Sequence, residues 1–256
     1  MLVDNKQHTV LHVPADHEGQ AVETFIRDVE AAIARGAMDI ALDCSSLALV
    51  ASANVNVLWQ VYVRCSAVGA KVSLRKPPRG LVRVLQVLDL ADLFGCEAVD
   101  MLHTAKIRVA ASATTSAREG YSDEFLTDVD SVNEAIERFL AYLRDLAVPE
   151  KTSFELRTIF YEVATNIRVH GIAGDKDVIV FCARPQDSRI TMTFADSGVP
   201  FDITRQGTDF DPQKAAKSHQ KRGFGITLTK RLADNISYSR KNGAINVLTI
   251  EAGTGI

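Results

Sequence analysis

The chain has 256 residues, of which 46% are hydrophobic, and its formal net charge is −3 at pH 7. This length and apolar content are enough for two modest domains, each with its own core. The slight negative charge and the lack of a long basic run argue against binding to nucleic acid or to an anionic membrane. The opening sequence does not resemble a signal peptide, and no run of about 18 apolar residues predicts a membrane span. We therefore expect a cytoplasmic protein.

In the first half, strand-like and helical runs alternate. The predicted strands are HTVLHV, DIALDC and KVSLRK, and the predicted helices cover about residues 18–35, residues 52–68 and the run RGLVRVLQVLDLADLF. Such alternation predicts an α/β fold in which helices cover a sheet. The stretch 107–118, IRVAASATTSAR, ends in small residues without apolar periodicity and is the best linker candidate.

The order of elements changes after this linker. Two helical runs open with capping-box spacings, in which Ser131 and Thr152 each precede a glutamate by three positions. The strand-like runs DVIVFCAR and SRITMTFAD follow, then a loop over about 198–222 and a short helix over about 223–235. Two last strands, ISYSRK and INVLTIEA, complete the half. Helices followed by antiparallel strands predict an α+β sandwich rather than a Rossmann domain.

Three polar residues recur at steps of four in the second of these helical runs. Glu162, Asn166 and His170 fall on one side of a helix, beside an apolar stripe. The stripe consists of Leu156, Phe160, Val163 and Ile167. Polar groups that flank a core stripe lie at the lip of a cavity, although a lone Glu or Asn on a helix is also commonly a solvated surface residue.

Two glycine-containing motifs follow. In ADSGVPFD, residues 195–202, Asp196 ends a strand and would project into the cavity, and Gly198 allows close backbone approach or a positive φ. In RGFGI, residues 222–226, glycines at the start of a helix expose N–H groups that suit a phosphate. Taken singly, the first motif is also compatible with an ordinary turn and the second with a simple helix entry.

In series, the three motifs resemble the N, G1 and G2 boxes of the GHKL ATPases, the family of histidine kinases, gyrase and Hsp90. The likeness is greatest to the anti-sigma-factor serine kinases of partner-switching systems, whose patterns are E-x-x-x-N-x-x-x-HG, D-x-G-x-P-F-D and GxG followed by R-L-x-D. The matching residues are Glu162, Asn166, His170 and Gly171, then Asp196, Gly198, Pro200, Phe201 and Asp202, then Gly223, Gly225, Arg231, Leu232 and Asp234. The resemblance covers about residues 119–252 and implies a GHKL (Bergerat) α/β sandwich over 119–256.

This resemblance implies a site for ATP and Mg²⁺. It assigns to Asn166 the coordination of a Mg²⁺ ion that bridges the phosphates, a task that suits an amide oxygen. It assigns to Asp196 the hydrogen bond from the adenine amino group. Glu162 would orient or deprotonate the attacking hydroxyl, as phosphoryl transfer requires, whereas His170 would support the end of the helix.

The resemblance also implies a lid over the phosphates. Gly223 and Gly225 would let this lid approach the nucleotide, and Arg222 or Lys221 would neutralise phosphate charge. The chain lacks a glycine at 220–222, where some relatives have one, so we expect a lid that closes differently.

The first half resembles the STAS domain of anti-sigma-factor antagonists over about residues 8–104. The matching positions are Leu42, Asp43, Leu58, Gly69, Val72, Leu74 and the stretch 82–94. The resemblance implies a STAS-like domain over 1–106 and places the family's phosphorylated serine at Ser52, where the hydroxyl of a plain helix cap is the alternative. Ala51 and Asn54 replace the family's usual Asp and Gly, and Ser45 and Ser46 are further candidates for phosphorylation.

These resemblances together predict a protein serine/threonine kinase that acts as a partner switch. It would bind and phosphorylate STAS-type antagonist proteins, its own STAS half among them, and sequester a sigma factor or an equivalent regulator. The family likeness also implies a homodimer. The alternative is a non-catalytic adaptor, in which nucleotide sets the shape of the ATPase-like half and the STAS-like half docks partners. A histidine kinase or a DNA-topology enzyme is disfavoured, because this length leaves no room for a phospho-accepting helical hairpin or a transducer domain.

Overall fold

The computed structural model describes residues 8–15, 19–47, 52–96, 120–171, 178–206 and 224–254, and the chain divides into two compact units. Within the first unit, three parallel strands form a sheet in the order β1-β2-β3. Its elements are β1 (His8–His12), α1 (Gln20–Ala34), β2 (Asp39–Asp43), α2 (Ser52–Ala67), β3 (Lys71–Arg75) and α3 (Arg79–Val87). The alternation of strands and helices predicted from the sequence is confirmed.

The core of the first unit follows from two sequence patterns. Residues 40–43 of the central strand β2 are all buried, as expected for a parallel strand that is covered on both faces. Helix α1 buries Phe25, Ile26, Val29 and Ala32, whose spacing of three and four places them on one face.

One predicted helix of this unit is divided in two. The sequence predicted a single helix through RGLVRVLQVLDLADLF, but α3 ends at Val87, and a separate 3₁₀ turn covers Ala91–Phe94. Asp89 between them has a φ of 58°, a left-handed conformation that cannot continue a right-handed helix. The apolar periodicity extends across this break because Leu88 and Leu90 are still buried.

The second unit contains a five-stranded antiparallel sheet in the order β4-β5-β6-β8-β7. Its elements are β4 (Tyr121–Leu126), α4 (Val129–Asp145), α5 (Glu150–Asn166), β5 (Val178–Gln186), β6 (Arg189–Asp196), α6 (Phe224–Leu232), β7 (Asn235–Lys241) and β8 (Ile245–Gly253). The predicted α+β sandwich is confirmed for this half.

Helices α4 and α5 bury their apolar faces against one face of this sheet. Phe139 and Phe160 of the helices meet Phe181 and Phe194 of the strands, with the ring centroids of Phe160 and Phe181 4.6 Å apart in an edge-to-face arrangement. Aromatic pairs of this geometry add to the free energy gained by burying their surface. This cluster fixes α5, and therefore the polar residues that it carries, over the sheet.

Three features of the second half differ from the sequence prediction. Strand β4 was not predicted, although it pairs along its length with β5. The two capping boxes were wrong, because both helices begin earlier. Asp128 caps α4 and accepts a hydrogen bond from the Ser131 N–H at 2.9 Å, while α5 begins at Glu150 after Pro149, as proline at a helix start favours.

The boundaries of the two predicted domains, 1–106 and 119–256, are not tested by these coordinates. The linker at 107–118 lies outside the described residues, so its position stays a prediction. Within the part of the chain that the structure describes, no helix has the length and apolar character needed to cross a membrane.

Candidate functional site

The candidate site begins at the C-terminal end of α5. After Asn166 the α-helix gives way to a π-helical turn over Ile167–Gly171. A π turn takes more residues per turn than an α-helix, so His170 no longer continues the line of Glu162 and Asn166. Its ring is exposed and stacks on Phe201, with centroids 4.8 Å apart. The continuous polar ribbon predicted from the sequence is therefore wrong at its last member.

Asn166 carries a polar atom without a partner. Its side-chain nitrogen, Nδ2, is buried and makes no hydrogen bond within the described part of the chain. Leaving such a group unpaired costs about 1–3 kcal/mol, so a buried orphan donor indicates a site completed by a ligand or by water. Asn166 also lines the cavity described below.

Asp196 reaches the same site from the sheet. Strand β6 alternates, and Ile190, Met192, Phe194 and Asp196 all lie on its buried face because side chains of a strand alternate between the two faces. Asp196 is the polar end of this apolar row and is only 8% exposed. Its Oδ1 accepts hydrogen bonds from the Gly198 N–H at 2.9 Å and from Asn246 Nδ2 at 2.8 Å.

Gly198 joins the end of β6 to the end of α5. A Cβ atom at position 198 would lie 1.7 Å from the carbonyl oxygen of Gly171, a distance that no side chain can occupy. The Val199 N–H donates to that same oxygen at 2.6 Å. The close approach predicted for Gly198 is thus made to the backbone at the end of the π turn, whereas a positive φ is not found there. Asp196 and Asn166 line one cavity beside this contact.

The cavity between these elements is small and mostly apolar. Asn166, Gly171 and Asp196 line it together with Val199, Phe201 and other side chains. Its volume is about 20 Å³, which is room for roughly one water molecule. A purine is larger than this volume, so the cavity would have to widen to admit one.

Glu162 lies one helical turn before Asn166. It is 2% exposed and is not among the described residues that line the cavity. Its assignment as the base for phosphoryl transfer therefore stays a prediction.

Of the remaining predicted site residues in the ATPase-like half, one lies within the described part of the chain and two lie outside it. Gly225 is the second residue of α6, and this helix begins at Phe224, close to the position predicted from the sequence. Arg222 and Gly223 lie outside the described residues, so their roles stay predictions.

Three residues of the site were missed by the sequence analysis. Asn246, Tyr238 and Arg240 form a hydrogen-bonded cluster next to Asp196. A sequence signal for Asn246 was present: it occupies the buried face of β8 in line with Leu248 and Ile250, where alternation leads one to expect an apolar residue.

The polar groups at the cavity are of kinds that contact a nucleotide, and the space between them is smaller than one. The buried, unpaired Nδ2 of Asn166 is a feature that a ligand-binding site explains. No group of three or more His, Cys, Asp or Glu residues that could hold a metal occurs in the described ranges. A Mg²⁺ ion at Asn166 would therefore take most of its oxygen ligands from phosphates and water, as Mg²⁺ commonly does.

The phosphorylation candidates of the first unit lie at the start of α2 and in the turn after β2. Helix α2 begins at Ser52, as predicted. Ser45 is exposed, and its N–H donates to Asp43 Oδ1 at 3.0 Å, whereas the Ser46 hydroxyl donates to the Val13 carbonyl at 2.6 Å. Asn54, which stands where the family usually has glycine, is fully buried.

Comparisons with protein families match both halves. The family described as "Mlab, STAS domain" matches residues 1–102, and the family described as "Histidine kinase-like ATPase domain" matches residues 125–251. No curated protein gives a significant match to the chain.

The chain is also similar, at low identity, to three solved structures. A chain of the SiaB–SiaC complex from Pseudomonas aeruginosa is 12% identical, with 52% of this chain and 88% of that chain covered and a TM-score of 0.38. The Acinetobacter baumannii histidine kinase AdeS is 14% identical over 92% and 96% of the two chains, with a TM-score of 0.34. The catalytic domain of the histidine kinase ThkA is 14% identical over 52% and 97%, with a TM-score of 0.31.

Proposed function

Because the chain combines a STAS domain with a histidine kinase-like ATPase domain, we propose that it is an ATP- and Mg²⁺-dependent serine/threonine protein kinase. Its substrates are STAS-type antagonist proteins, with its own STAS domain as a candidate, and its binding partner is a sigma factor or an equivalent regulator. Transcription is then controlled by which partner the protein holds.

The single observation that carries this proposal is that Asp196 and Asn166 line one cavity. Asp196 offers an acceptor, and Asn166 offers a side-chain nitrogen that no described group satisfies. An adenine amino group would bond to Asp196, and the phosphates would extend toward Asn166. The N–H groups of a helix start, here that of α6, where Gly225 lies, favour the negative charge of phosphates.

Each residue then has one chemical task. Asn166 Oδ1 would be a ligand for Mg²⁺, which would supply positive charge to neutralise the phosphates. Glu162 accepts the proton of a serine hydroxyl as its oxygen attacks the γ-phosphorus, and ADP leaves with the electrons of the broken P–O bond.

The product of this reaction would act as a switch through local electrostatics. A phosphate on Ser52 would lie at the start of α2, where unpaired N–H groups and the helix dipole favour negative charge. A new charge-assisted contact contributes on the order of 1.4 kcal/mol or more, which shifts a binding equilibrium about tenfold. Phosphorylation would therefore be enough to exchange one partner for another.

Replacement of Glu162 by Gln tests the kinase. We expect ATP binding to be retained and phosphotransfer to a STAS protein to fall by about 10²–10⁴-fold, measured by calorimetry and by intact-protein mass. Glu150→Gln, at an exposed position of the same helix, is the matched control and should leave both unchanged. Full activity in Glu162→Gln would refute the assignment of the base.

The same variant separates the kinase from the nucleotide-gated adaptor. The separation of Glu162 from the cavity is the observation that favours an adaptor, since a nucleotide sensor needs no base. In that case partner binding would respond to ATP equally in the wild type and in Glu162→Gln, and no phosphoprotein would form with either.

The site of self-phosphorylation and the oligomeric state need separate measurements. Peptide mass spectrometry after incubation with Mg-ATP should find phosphate on Ser52 and lose it in Ser52→Ala, while phosphate on Ser45 or Ser46 would contradict this assignment. We further infer a homodimer, for which sedimentation should give twice the mass of one chain.

A further inference from the structure

A row of polar side chains crosses three strands of the second unit. Asp196 of β6 is paired in register with Asn246 of β8, and Asn246 is paired with Arg240 of β7. Asn246 is only 4% exposed, and it lines the same cavity as Asp196. The proposed phosphoryl transfer assigns no role to Asn246.

The amide of Asn246 is bonded on both sides. Its Nδ2 donates to Asp196 Oδ1 at 2.8 Å and more weakly to the carbonyls of Gly198 and Val199 at 3.2 and 3.3 Å. Its Oδ1 accepts from the Tyr238 hydroxyl and from Arg240 Nη1, both at 2.7 Å. A flipped amide would direct its NH₂ group at the Arg240 donor and its oxygen at three acceptors, so only one orientation is possible.

This orientation determines what Asp196 offers to a ligand. Oδ1 of Asp196 already accepts from the Gly198 N–H and from Asn246. In the described part of the chain, no group donates to Oδ2. Two donors on one oxygen fix the rotation of the carboxylate, and Oδ2 is left as an acceptor for a ligand in the cavity.

We propose that Asn246 is the positioning residue that makes this site select purines with an amino group, and not an oxo group, at the ring position facing Asp196. This inference rests on the proposed binding of a nucleotide at Asp196. A 6-amino purine donates to the fixed acceptor, whereas a 6-oxo purine brings a second acceptor against a carboxylate that cannot turn away. Sites built around one buried hydrogen bond discriminate strongly against a ligand that cannot form it.

The network also shows how selectivity is lost. Without the Asn246 amide, Asp196 keeps only the Gly198 N–H on Oδ1, and its carboxylate can rotate. The charge of Arg240 strengthens the chain of hydrogen bonds from the other end, since its guanidinium polarises the amide that it contacts. Arg240 itself does not line the cavity, so its replacement changes Asp196 only through Asn246 and the nearby loop.

The ratio of the dissociation constants of ITP and ATP tests this proposal, because the two nucleotides share their phosphates and differ at the 6-position. Calorimetric titration of the full chain should show ATP binding about 10²-fold more tightly than ITP. Asn246→Ala should lower that ratio about tenfold, mainly through weaker ATP binding. Arg240→Gln should lower this ratio about threefold. It is the variant to measure if Asn246→Ala does not fold.

Thr249→Ala is the matched control, since Thr249 belongs to the same strand, is half-buried and bonds only weakly to Thr193 at 3.5 Å. It should leave the ratio unchanged. Equal weakening of ATP and ITP in both test variants would reduce Asn246 to a structural role and overturn the proposal. A wild-type protein that binds ATP without preference over ITP would overturn this inference alone, whereas one that binds neither would overturn the proposed function with it.

Discussion

Both halves of the chain bury polar side chains, but they use them differently. In the first unit, Asp43 is buried at the end of β2 and bonds to Ser45, two residues further along. In the second, Asp196 bonds to Asn246, fifty residues away, and lines a cavity together with Asn166. Local bonding completes a turn, whereas bonding among several elements holds groups around a space that a ligand can enter. The comparison favours the second unit for the ligand-binding site that we propose.

Replacement of one glycine in each unit should give the largest difference between the two units in stability and in ATP binding. In the second unit, Gly198→Ala places a methyl group on the Gly171 carbonyl, so we expect a loss of about 3 kcal/mol in stability together with loss of ATP binding. Hydrogen exchange of β6 and β8 measures the first effect, and calorimetry measures the second.

Gly171→Ala is the control for that experiment, because its Cβ would meet ordinary contacts at 3.5 Å or more. It should change the free energy of unfolding by less than about 1 kcal/mol. Equal tolerance of alanine at positions 198 and 171 would show that the contact between the two backbones is not needed.

In the first unit, Gly69→Ala should have a smaller and purely structural effect. Gly69 has a φ of 74° and open space where a Cβ would lie, so the cost is left-handed backbone strain of about 1–2 kcal/mol. Unfolding followed by the fluorescence of Trp59, the single tryptophan of the chain, measures it. ATP affinity should not change, and a change of more than threefold would contradict the assignment of the nucleotide site to the second unit alone.

The smallest expected effect concerns the local bond of Asp43. Hydrogen bonds from the Ser45 side chain and N–H hold the pKa of the Asp43 carboxyl below its ordinary value. The contribution of the Asp43 carboxylate to the stability of the folded chain is therefore complete above the unfolded pKa of about 3.9. It is lost as the pH falls through the lower folded pKa. Asp43→Asn should lower stability at pH 7 and approach the wild type in strong acid. If the difference in stability between Asp43→Asn and the wild type grew as the pH fell, the predicted direction of the pH dependence would be wrong.

Much of the fold and part of the site could be predicted from the sequence. The strand-like run SRITMTFAD predicted that Asp196 ends a strand, and the motif around it indicated a close approach or a positive φ at Gly198, of which the close approach is found. These features depend on the local periodicity of side chains and on the close backbone contacts that only glycine allows, and both can be read directly from the sequence.

Other features depend on contacts that local patterns do not record. Strand β4 lies at an edge of the sheet and buries only Phe125 fully. Asp123 on its inward side and the exposed Leu126 on its outward side hide its alternation; charged residues are common on edge strands. The bond between Asn246 and Asp196 joins residues fifty positions apart. The π turn after Asn166 leads to Gly171, whose carbonyl packs on the loop after β6, so it could not be predicted from the helix alone.

The most direct test of the central claim is calorimetric titration of the full chain with Mg-ATP, comparing the wild type with Asp196→Asn. The asparagine keeps an oxygen for Gly198 and Asn246 and turns its NH₂ group toward the cavity, where it opposes the adenine amino group. We expect the wild type to bind ATP and the variant to bind about 10–100-fold more weakly, because a hydrogen bond to a charged group is lost. Absence of heat with the wild type, or equal affinity in the two proteins, would contradict the account.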